Sequence, residues 1–479
     1  MKPTTTRVHL KSQYVYLGGI IIIIGMSLGF TAIVAVILGE GQHASSFLIP
    51  AVASLIIGGI LYRPARNRKI PPLNLRDSMS IVVAGWIIAF IVSAWPFVLS
   101  GIAPYRLALF ESISGWTTTG LSVMVEEELP RTYLFWRSFM QYLGGAGFAI
   151  AMLSSIIGPV GVGLSRAEGR QEVLPMVRQS SATIGLIYLS YGLAAVLGLR
   201  IFGMGWFHSV NHAMAALSTG GFSTVGDSIG AWNSVPLEMF TLVLMIAGNT
   251  NFMTHHHLLR GNWRQAVRSP DIKLFATTAT AAVLFMLIAP TISASLRTTV
   301  FQVVSALTTT GFSTVDLRPE WSEASLSVLI ILMIIGGGIN STAGGLKQRR
   351  IYLMVKSISW HLREAALPRR AVVSHSIMDH GQVIDVEDTE MRQVANLVLL
   401  YLGTLAAAAV IIAAYGYPLA EALFEAGSAV GTVGLSVGIT SPDAPAGVLW
   451  VQKVCMFLGR LEFFAIIIAI RRWIESIRR

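Results

Sequence analysis

Four short stretches of this 479-residue chain end in small hydroxyl residues and a glycine, a composition suited to holding a bare cation. Aligned on the glycine, they read ISGWTTTGLSV at Gly120, AALSTGGFSTV at Gly221, SALTTTGFSTV at Gly311 and SAVGTVGLSVG at Gly434. A cation stripped of water must regain oxygen ligands, and a ring of backbone carbonyls can replace its hydration shell. Aiming successive carbonyls at one axis needs unusual dihedrals, which glycine adopts without a Cβ clash. Threonine and serine are small and hydrogen-bond locally, which holds such a loop open in apolar surroundings. The candidate ligand positions are Thr118 and Thr119, Thr219 and Gly220, Thr309 and Thr310, and Thr432 and Val433, each pair followed by its glycine. One such loop would pass for a helix-ending turn. Four copies, at intervals of 101, 90 and 123 residues, imply that whole structural units repeat.

The elements that must carry these loops are membrane helices. The chain is 53% hydrophobic and only 13% charged, and many segments hold about 20 apolar residues between charged flanks, as a polytopic membrane protein requires. The net charge of +10 is explained by basic residues in loops at alternate segment ends, so no nucleic-acid partner is implied. The single cysteine, Cys455, excludes an intrachain disulfide and a cysteine-based metal cluster. The first apolar segment follows Lys2, Arg7 and Lys11 and is too long for the core of a cleavable signal.

Two apolar segments, Tyr14–Leu38 and Ser45–Leu61, precede the first glycine loop, and the basic stretch from Arg63 to Arg76 then places the N-terminus in the cytoplasm. Each later unit has one plan: a spanning helix, a short apolar segment stopping at the glycine loop, and a returning helix. The spacing predicts Ser80–Leu99, Tyr105–Thr117 and Thr132–Ile157, then Ala182–Phe202, Phe207–Leu217 and Leu237–Met253. It continues with Leu274–Ile292, Val300–Leu307 and a helix from Leu326, and ends with Ala395–Tyr415, Leu419–Val430 and Gly447–Ile470. Helical segments of about ten residues are only some 15 Å long, half a bilayer, so the short ones are re-entrant. Glu126, Glu127 and Glu128 fall on the outer side, whereas Arg166, Arg170, Arg178, Arg260, Arg264, Arg268, Lys273, Lys347, Arg349, Arg350 and the C-terminal arginines fall inside. The fold expected is all-α: four helix–pore-loop–helix repeats around a central pore, plus two extra N-terminal transmembrane helices. The corresponding divisions are 1–76, 77–170, 171–270, 271–366, a cytoplasmic insertion at 367–391, and 392–479. Within the insertion, AVVSH, a DHG turn and QVIDV suggest a small hairpin, either a solvated linker or a docking surface.

Gly336, Gly337 and Gly338, followed by Asn340, Ser341, Thr342, Gly344, Gly345 and Lys347, interrupt what should be the returning helix of the third unit. They make either a kinked helix packed closely through its glycines or an intramembrane loop that obstructs the path below the ring. Arg460 lies thirteen residues into a helix expected from Gly447 to Arg472, hence near the midplane, where a charge costs at least about 2.5–3.5 kcal/mol and is usually functional. Its structural alternative is a pairing with Glu462 or a neighbouring helix. The run His255, His256 and His257 fans out around a helix rather than converging on a metal, and reads as an interfacial cluster ending a span. Gly161 and Gly163 follow a spanning helix, not a strand, so they make no nucleotide fingerprint.

The chain resembles the Trk/Ktr/HKT superfamily of potassium transporters, specifically its bacterial and archaeal TrkH branch, over nearly its whole length. The resemblance rests on the four units and two extra helices, with QYLGGAGF at Gln141–Phe148, SRAEG at Ser165–Gly169, GGGINSTAGGLK at Gly336–Lys347 and GRLEFF at Gly459–Phe464. It implies potassium permeation through loops whose filter glycines are Gly120, Gly221, Gly311 and Gly434. It also implies a gating loop at Gly336–Gly345, and an Arg460 that projects under the filter as an electrostatic barrier. The loops depart from identity at Val433 and Gly220, where the first and third copies carry threonine. The implied partners are a second copy of the chain, each with its own pore, and a cytosolic TrkA-like nucleotide-binding ring. No cofactor is implied beyond K⁺ as the transported ion.

The reading that follows is uptake of potassium across the inner membrane through a gated, channel-like pore, with both termini cytoplasmic. The alternative is an H⁺- or Na⁺-coupled symporter, which predicts inverted repeats and acidic coupling residues deep in spans. The units here share one orientation; Glu111 and Glu425 lie in or before pore segments, and Glu462 neighbours Arg460. No nucleophile–base pair or metal-ligand spacing points to an enzyme.

Overall fold

The computed structural model describes residues 3–63, 75–145, 177–288, 295–317, 321–368, 374–379 and 382–478. The sequence features at Arg66, Arg68 and Lys69, Gly161–Gly163, Ser165–Gly169, Arg166 and Arg170 lie outside them, as do residues 146–157 and 289–292 of two expected helices and the tip of the hairpin.

The chain begins with α1 (Pro3–Ile37) and α2 (Ala44–Tyr62). They cross at small residues: a Cβ on Gly18 would sit 2.8 Å from the Gly58 carbonyl oxygen, and one on Gly25 3.0 Å from that of Ala51. Such close backbone approach is how helices associate where lipid supplies no hydrophobic drive. The turn between them carries Glu40, whose carboxylate accepts from the Arg131 and Thr132 amides at 3.0 and 2.9 Å and from the Thr132 hydroxyl at 2.7 Å. It thereby satisfies the free amides that open the next unit's returning helix.

The first unit comprises α3 (Leu75–Leu99), α4 (Tyr105–Trp116) and α5 (Arg131–Gly145). The second comprises α6 (Val177–Ile201), α7 (Trp206–Leu217), α8 (Val235–Asn249) and α9 (Phe252–Leu259), after which a short α10 (Trp263–Val267) leads on. The third comprises α11 (Pro270–Ile288), α12 (Leu296–Leu307), α13 (Glu323–Ile335) and α14 (Gln348–Ala366). The fourth comprises α15 (Asp388–Ala414), α16 (Leu419–Gly431), α17 (Ala446–Arg460) and α18 (Phe464–Ile477). Among the described residues, six helices are long and apolar enough to cross a membrane, within α1, α2, α3, α6, α11 and α15. The helices α4, α7, α12 and α16 have 12, 12, 12 and 13 residues, roughly 18 Å each, too short to span.

Polarity is distributed as a membrane solvent demands. Glu111, Arg137, His212, Gln302, Glu425, Gln452 and Lys453 are buried, while Ile33, Ile37, Ile56, Leu186, Ile201, Phe285, Ile288 and Leu399 are exposed. An apolar outside of this extent needs lipid around it.

Two returning helices expected to be continuous are broken. The α8–α9 pair bends by 111° at Thr250–Asn251. Gly248, Asn249, Thr250 and Asn251 are weak helix formers, and the Asn251 side chain caps α9 by accepting from the Met253 amide at 2.9 Å. His255 therefore sits past the bend, buried, with Nε2 2.9 Å from the Ala247 carbonyl, rather than in an interfacial cluster at the end of a span. The second break follows Arg460, which ends α17 instead of lying mid-helix. Glu462 and Phe463 adopt left-handed φ of 54° and 60°, about 1–2 kcal/mol each for such residues.

In the insertion, β1 (Ser376–Asp379) pairs antiparallel with β2 (Gln382–Asp385), so the hairpin reading holds. Ile377 packs with Leu353 and Trp360 of α14 and Val394 of α15. Arg349, just after the glycine-rich loop, approaches Asp379 and Glu390 at 3.6 Å each.

Candidate functional site

Each short helix ends in the same way. Thr118, Thr219, Thr309 and Thr432 turn left-handed, with φ of 55°, 51°, 53° and 51°. The next amide bonds back five residues: Thr119 to Ser114, Gly220 to Ala215, Thr310 to Ser305 and Val433 to Ser428, at 2.8–3.0 Å. Gly120, Gly221, Gly311 and Gly434 then take φ of 90°, 74°, 82° and 99°. The glycines were legible as dihedral requirements; the left-handed threonines were not, since threonine is a poor choice for that conformation.

The four loops close on one another. A Cβ built on Gly120 would lie 2.2 Å from the Gly220 carbonyl oxygen, and one on Gly221 2.0 Å from that of Thr310. One on Gly311 would lie 2.0 Å from the Val433 carbonyl, and one on Gly434 2.3 Å from that of Thr119. Each glycine thus abuts the carbonyl preceding the glycine of the next loop, and the fourth meets the first. The same four glycines line one polar cavity of about 560 Å³, with Glu126, Asp227 and Asp316 also in its wall. Gly220 replaces threonine because Gln141 of α5 fills that space: a Cβ there would meet the Gln141 amide carbon at 2.4 Å. The Gln141 amide donates to the Gly220 carbonyl at 2.5 Å and accepts from the Phe222 amide at 3.1 Å.

A strap recurs in every loop, and the sequence reading missed it. The residue nine before the glycine reaches the serine two after it: Glu111 to Ser122 at 3.0 Å, His212 to Ser223 at 3.2 Å, Gln302 to Ser313 and Glu425 to Ser436 at 2.5 Å each. A polar residue and a serine eleven apart in each copy was the available signal. Arg137 joins two straps: it bonds Glu111 at 2.6 Å, Ser122 at 2.9 Å, Glu126 at 2.8 Å and the Ser223 carbonyl at 3.2 Å. Glu425 is held by the Val437 amide at 2.9 Å, Thr440 at 2.6 Å and Gln452 at 3.2 Å. A buried carboxylate is tolerated only with such donors.

On the opposite side of the ring lies the glycine-rich loop between α13 and α14, an excursion rather than a kink. Gly336 and Gly345, with φ of 67° and 74°, lie back to back, and Asn340 and Lys347 are also left-handed at 53° and 78°. The Gly337 amide bonds the Gly344 carbonyl at 3.1 Å, the Ser341 hydroxyl bonds that of Gly338 at 2.6 Å, and the Lys347 ammonium reaches that of Ala343. The loop touches three of the four helix ends. The Thr342 hydroxyl donates to the Leu217 and Gly248 carbonyls at 2.9 and 2.8 Å and lies 3.3 Å from that of Thr219. The Gly344 amide donates to Thr309 Oγ1 at 2.6 Å, and a Cβ on Gly344 would collide with Gly431 and Thr432 at 2.1 Å. Arg460 covers the fourth side: its guanidinium donates to the Thr342 carbonyl at 2.9 Å and to the Gly144 carbonyl at 2.6 Å. Glu462 bonds Arg350 of α14 at 2.5 Å.

Four half-length helices converging on a closed ring of glycine loops, inside a polytopic helical shell, define a membrane transporter and not an enzyme. The chain belongs to the TrkH family of cation transport proteins, whose model matches residues 43–276 and 266–477. It is 32% identical to an uncharacterized cation transporter of Methanocaldococcus jannaschii, over 94% of this chain and 93% of that one. It is 28% identical to the Trk system potassium uptake protein TrkH of Salmonella typhimurium, over 96% of this chain and 98% of that one. The crystal structure of the potassium transporter TrkH from Vibrio parahaemolyticus superposes with a TM-score of 0.84 at 25% identity, covering 96% of this chain and 98% of that one.

Proposed function

We propose that this chain takes up potassium across the cytoplasmic membrane through the ring of glycine loops, with the carbonyls of Thr118, Thr119, Thr219, Gly220, Thr309, Thr310, Thr432 and Val433 as ligands. The observation that carries the reading is the closure of the ring: every filter glycine abuts the carbonyl before the next glycine, in chain order and back to the start. Carbonyls at that level can replace water around a dehydrated ion. The C-terminal ends of α4, α7, α12 and α16 meet there and supply negative partial charge. The acidic residues of the 560 Å³ cavity raise the local cation concentration at its mouth.

On this reading the loop of Gly336–Gly345 is a steric gate and Arg460 an electrostatic one. A cation 4 Å from the guanidinium is repelled by about 4 kcal/mol at an effective dielectric of 20, several hundredfold in occupancy. The repeat divisions proposed at residues 77, 171, 271 and 392 would belong at the starts of the units' first helices, Leu75, Val177, Pro270 and Asp388 among the described residues. The polar cavity faces outward and the hairpin and both termini face the cytoplasm, where a nucleotide-binding ring would act on the hairpin and, through Arg349, on the start of α14. A homodimer with one pore per chain completes the assembly. The test is flux: purified full-length protein in proteoliposomes should admit Rb⁺ faster than Na⁺ without an imposed proton gradient. Flux that requires the gradient would instead establish a coupled symporter.

A further inference from the structure

In three of the four loops a serine lies six residues before the glycine: Ser114, Ser305 and Ser428. Two of these serines hold the peptide that carries a ring carbonyl. Ser114 Oγ accepts from the Gly120 amide at 3.1 Å, and Ser428 Oγ from the Gly434 amide at 3.0 Å. A peptide is planar and trans, so fixing the amide of Gly120 also aims the carbonyl of Thr119, and fixing that of Gly434 aims Val433. Ser305 acts one residue past its glycine, donating to the Phe312 carbonyl at 2.6 Å. The second loop has Ala215 at this position and no hydroxyl to offer. Its corresponding peptide is held from the carbonyl end instead, by Gln141 of α5 donating to Gly220 at 2.5 Å. The same side-chain amide accepts from the Phe222 amide at 3.1 Å, so it grips the backbone on both sides of Gly221. Gln141 is fully buried, and the helix end that carries it has little freedom. A Cβ on Gly144 would lie 2.0 Å from the Trp116 carbonyl oxygen, and one on Gly145 2.7 Å from the Ser218 Cβ. The last turn of α5 is thus wedged between the ends of α4 and α7.

We propose that Gln141 is the positioning residue of the second loop, setting the ring's ion preference by aiming the Gly220 carbonyl, the task a serine performs within the first and fourth loops. The inference rests on the filter reading above. A carbonyl oxygen has two lone pairs, so the Gly220 oxygen accepts from Gln141 and keeps the other for an ion. A carbonyl free to swing both loosens the ring and weakens its field on the ion, the two properties that discriminate between cations. Ligands must be held within about 0.5 Å of their working geometry by side chains that are themselves fixed. Gln141 meets that need from a neighbouring helix, where the loop's own helix offers only alanine.

The test is Rb⁺ and Na⁺ uptake by the full-length protein in proteoliposomes. Gln141→Met keeps an unbranched side chain of similar length and removes both polar atoms; Gln141→Asn keeps the amide but withdraws it by one methylene. In each, the Rb⁺/Na⁺ uptake ratio should fall roughly tenfold, as when one ring ligand is lost, with a higher half-saturating Rb⁺ concentration and continuing Na⁺ uptake. A partly misfolded preparation lowers both fluxes together and leaves the ratio alone, so the ratio separates aiming from folding. Adding Ala215→Ser to Gln141→Met should restore the ratio, because the new hydroxyl accepts from the Gly221 amide and fixes the same peptide from its other end. Tyr142→Phe removes a neighbouring hydrogen bond of α5, to the Tyr188 carbonyl at 2.9 Å, and should keep the wild-type ratio. A wild-type ratio in Gln141→Met or Gln141→Asn, a fall that Ala215→Ser leaves unrepaired, or an equal fall in Tyr142→Phe overturns the proposal. A wild type without Rb⁺ preference would sink the filter reading itself, whereas a selective wild type beside a selective Gln141→Met sinks this inference alone.

Discussion

Replacing Gly311 by alanine should abolish most of the preference for potassium. The glycine has φ of 82°, a conformation that costs a side chain about 1–2 kcal/mol. The added Cβ would also lie 2.0 Å from the Val433 carbonyl oxygen, so that backbone carbonyl must withdraw by about 1 Å to reach even a tight contact near 3.0 Å. A hydrogen-bond-strength contact to a charged group is worth about 1.5–3 kcal/mol, so losing one ring ligand should change ion affinity roughly ten- to a hundredfold. Gly403→Ala is the control, because its Cβ meets nothing within 4 Å and its φ is ordinary. The assay is Rb⁺ and Na⁺ uptake into proteoliposomes, normalised to monodisperse protein. Gly311→Ala should lose at least tenfold in Rb⁺/Na⁺ preference while Gly403→Ala keeps it. Full discrimination in a well-folded Gly311→Ala protein would refute the assignment of this ring as the filter.

Arg460→Gln removes the charge while keeping much of the bulk, and should raise partner-free Rb⁺ uptake; removing part of Gly336–Gly345 should raise it by a steric route, and wild-type flux in both would take the gate off the permeation path. Burial raises the Glu40 carboxyl, but its hydrogen bonds from Thr132 and Arg131 outweigh this and hold its pKa below the usual value. Its contribution is then complete above the ordinary carboxylate range near 4.3 and lost as pH falls through the lower folded value. Glu40→Gln should accordingly cost about 1 kcal/mol of stability at pH 7, as for a lost helix cap, read as a lower thermal midpoint, and match wild type in strong acid; an unchanged midpoint at pH 7 counts against the cap. In a Cys455→Ala background, cysteines at Glu127 and at Val383 should label from outside and inside respectively, and reversed accessibility would invert the proposed orientation.

Spanning and re-entrant helices were legible because length and apolar composition distinguish a 19- or 25-residue helix from one of 12. The glycine loops and the excursion after Ile335 were legible because glycine is the local cause of both conformations. The break after Arg460 was not, since Leu461, Glu462 and Phe463 include no helix breaker. Tertiary contacts hold it instead: Glu462 on Arg350, and Arg460 on carbonyls 118 and 316 residues away. The bend after Asn249 lay between, with weak helix formers present but decided by the capping Asn251 and by Asn249 and Gly248 bonding the glycine-rich loop. The straps at Glu111, His212, Gln302 and Glu425 escaped notice because they differ in residue type, and only the folded loop gives them one role. Gln141 explains Gly220 only once α5 is packed against the second loop.

The central claim, that cations are held by the carbonyls of the four glycine loops, is tested most directly by locating the ion. Crystals of the full-length protein grown with Rb⁺ in place of K⁺ should show anomalous density on the ring axis, level with the carbonyls of Thr119, Gly220, Thr310 and Val433. Density at another site in the chain, with none on that axis at saturating Rb⁺, would contradict it.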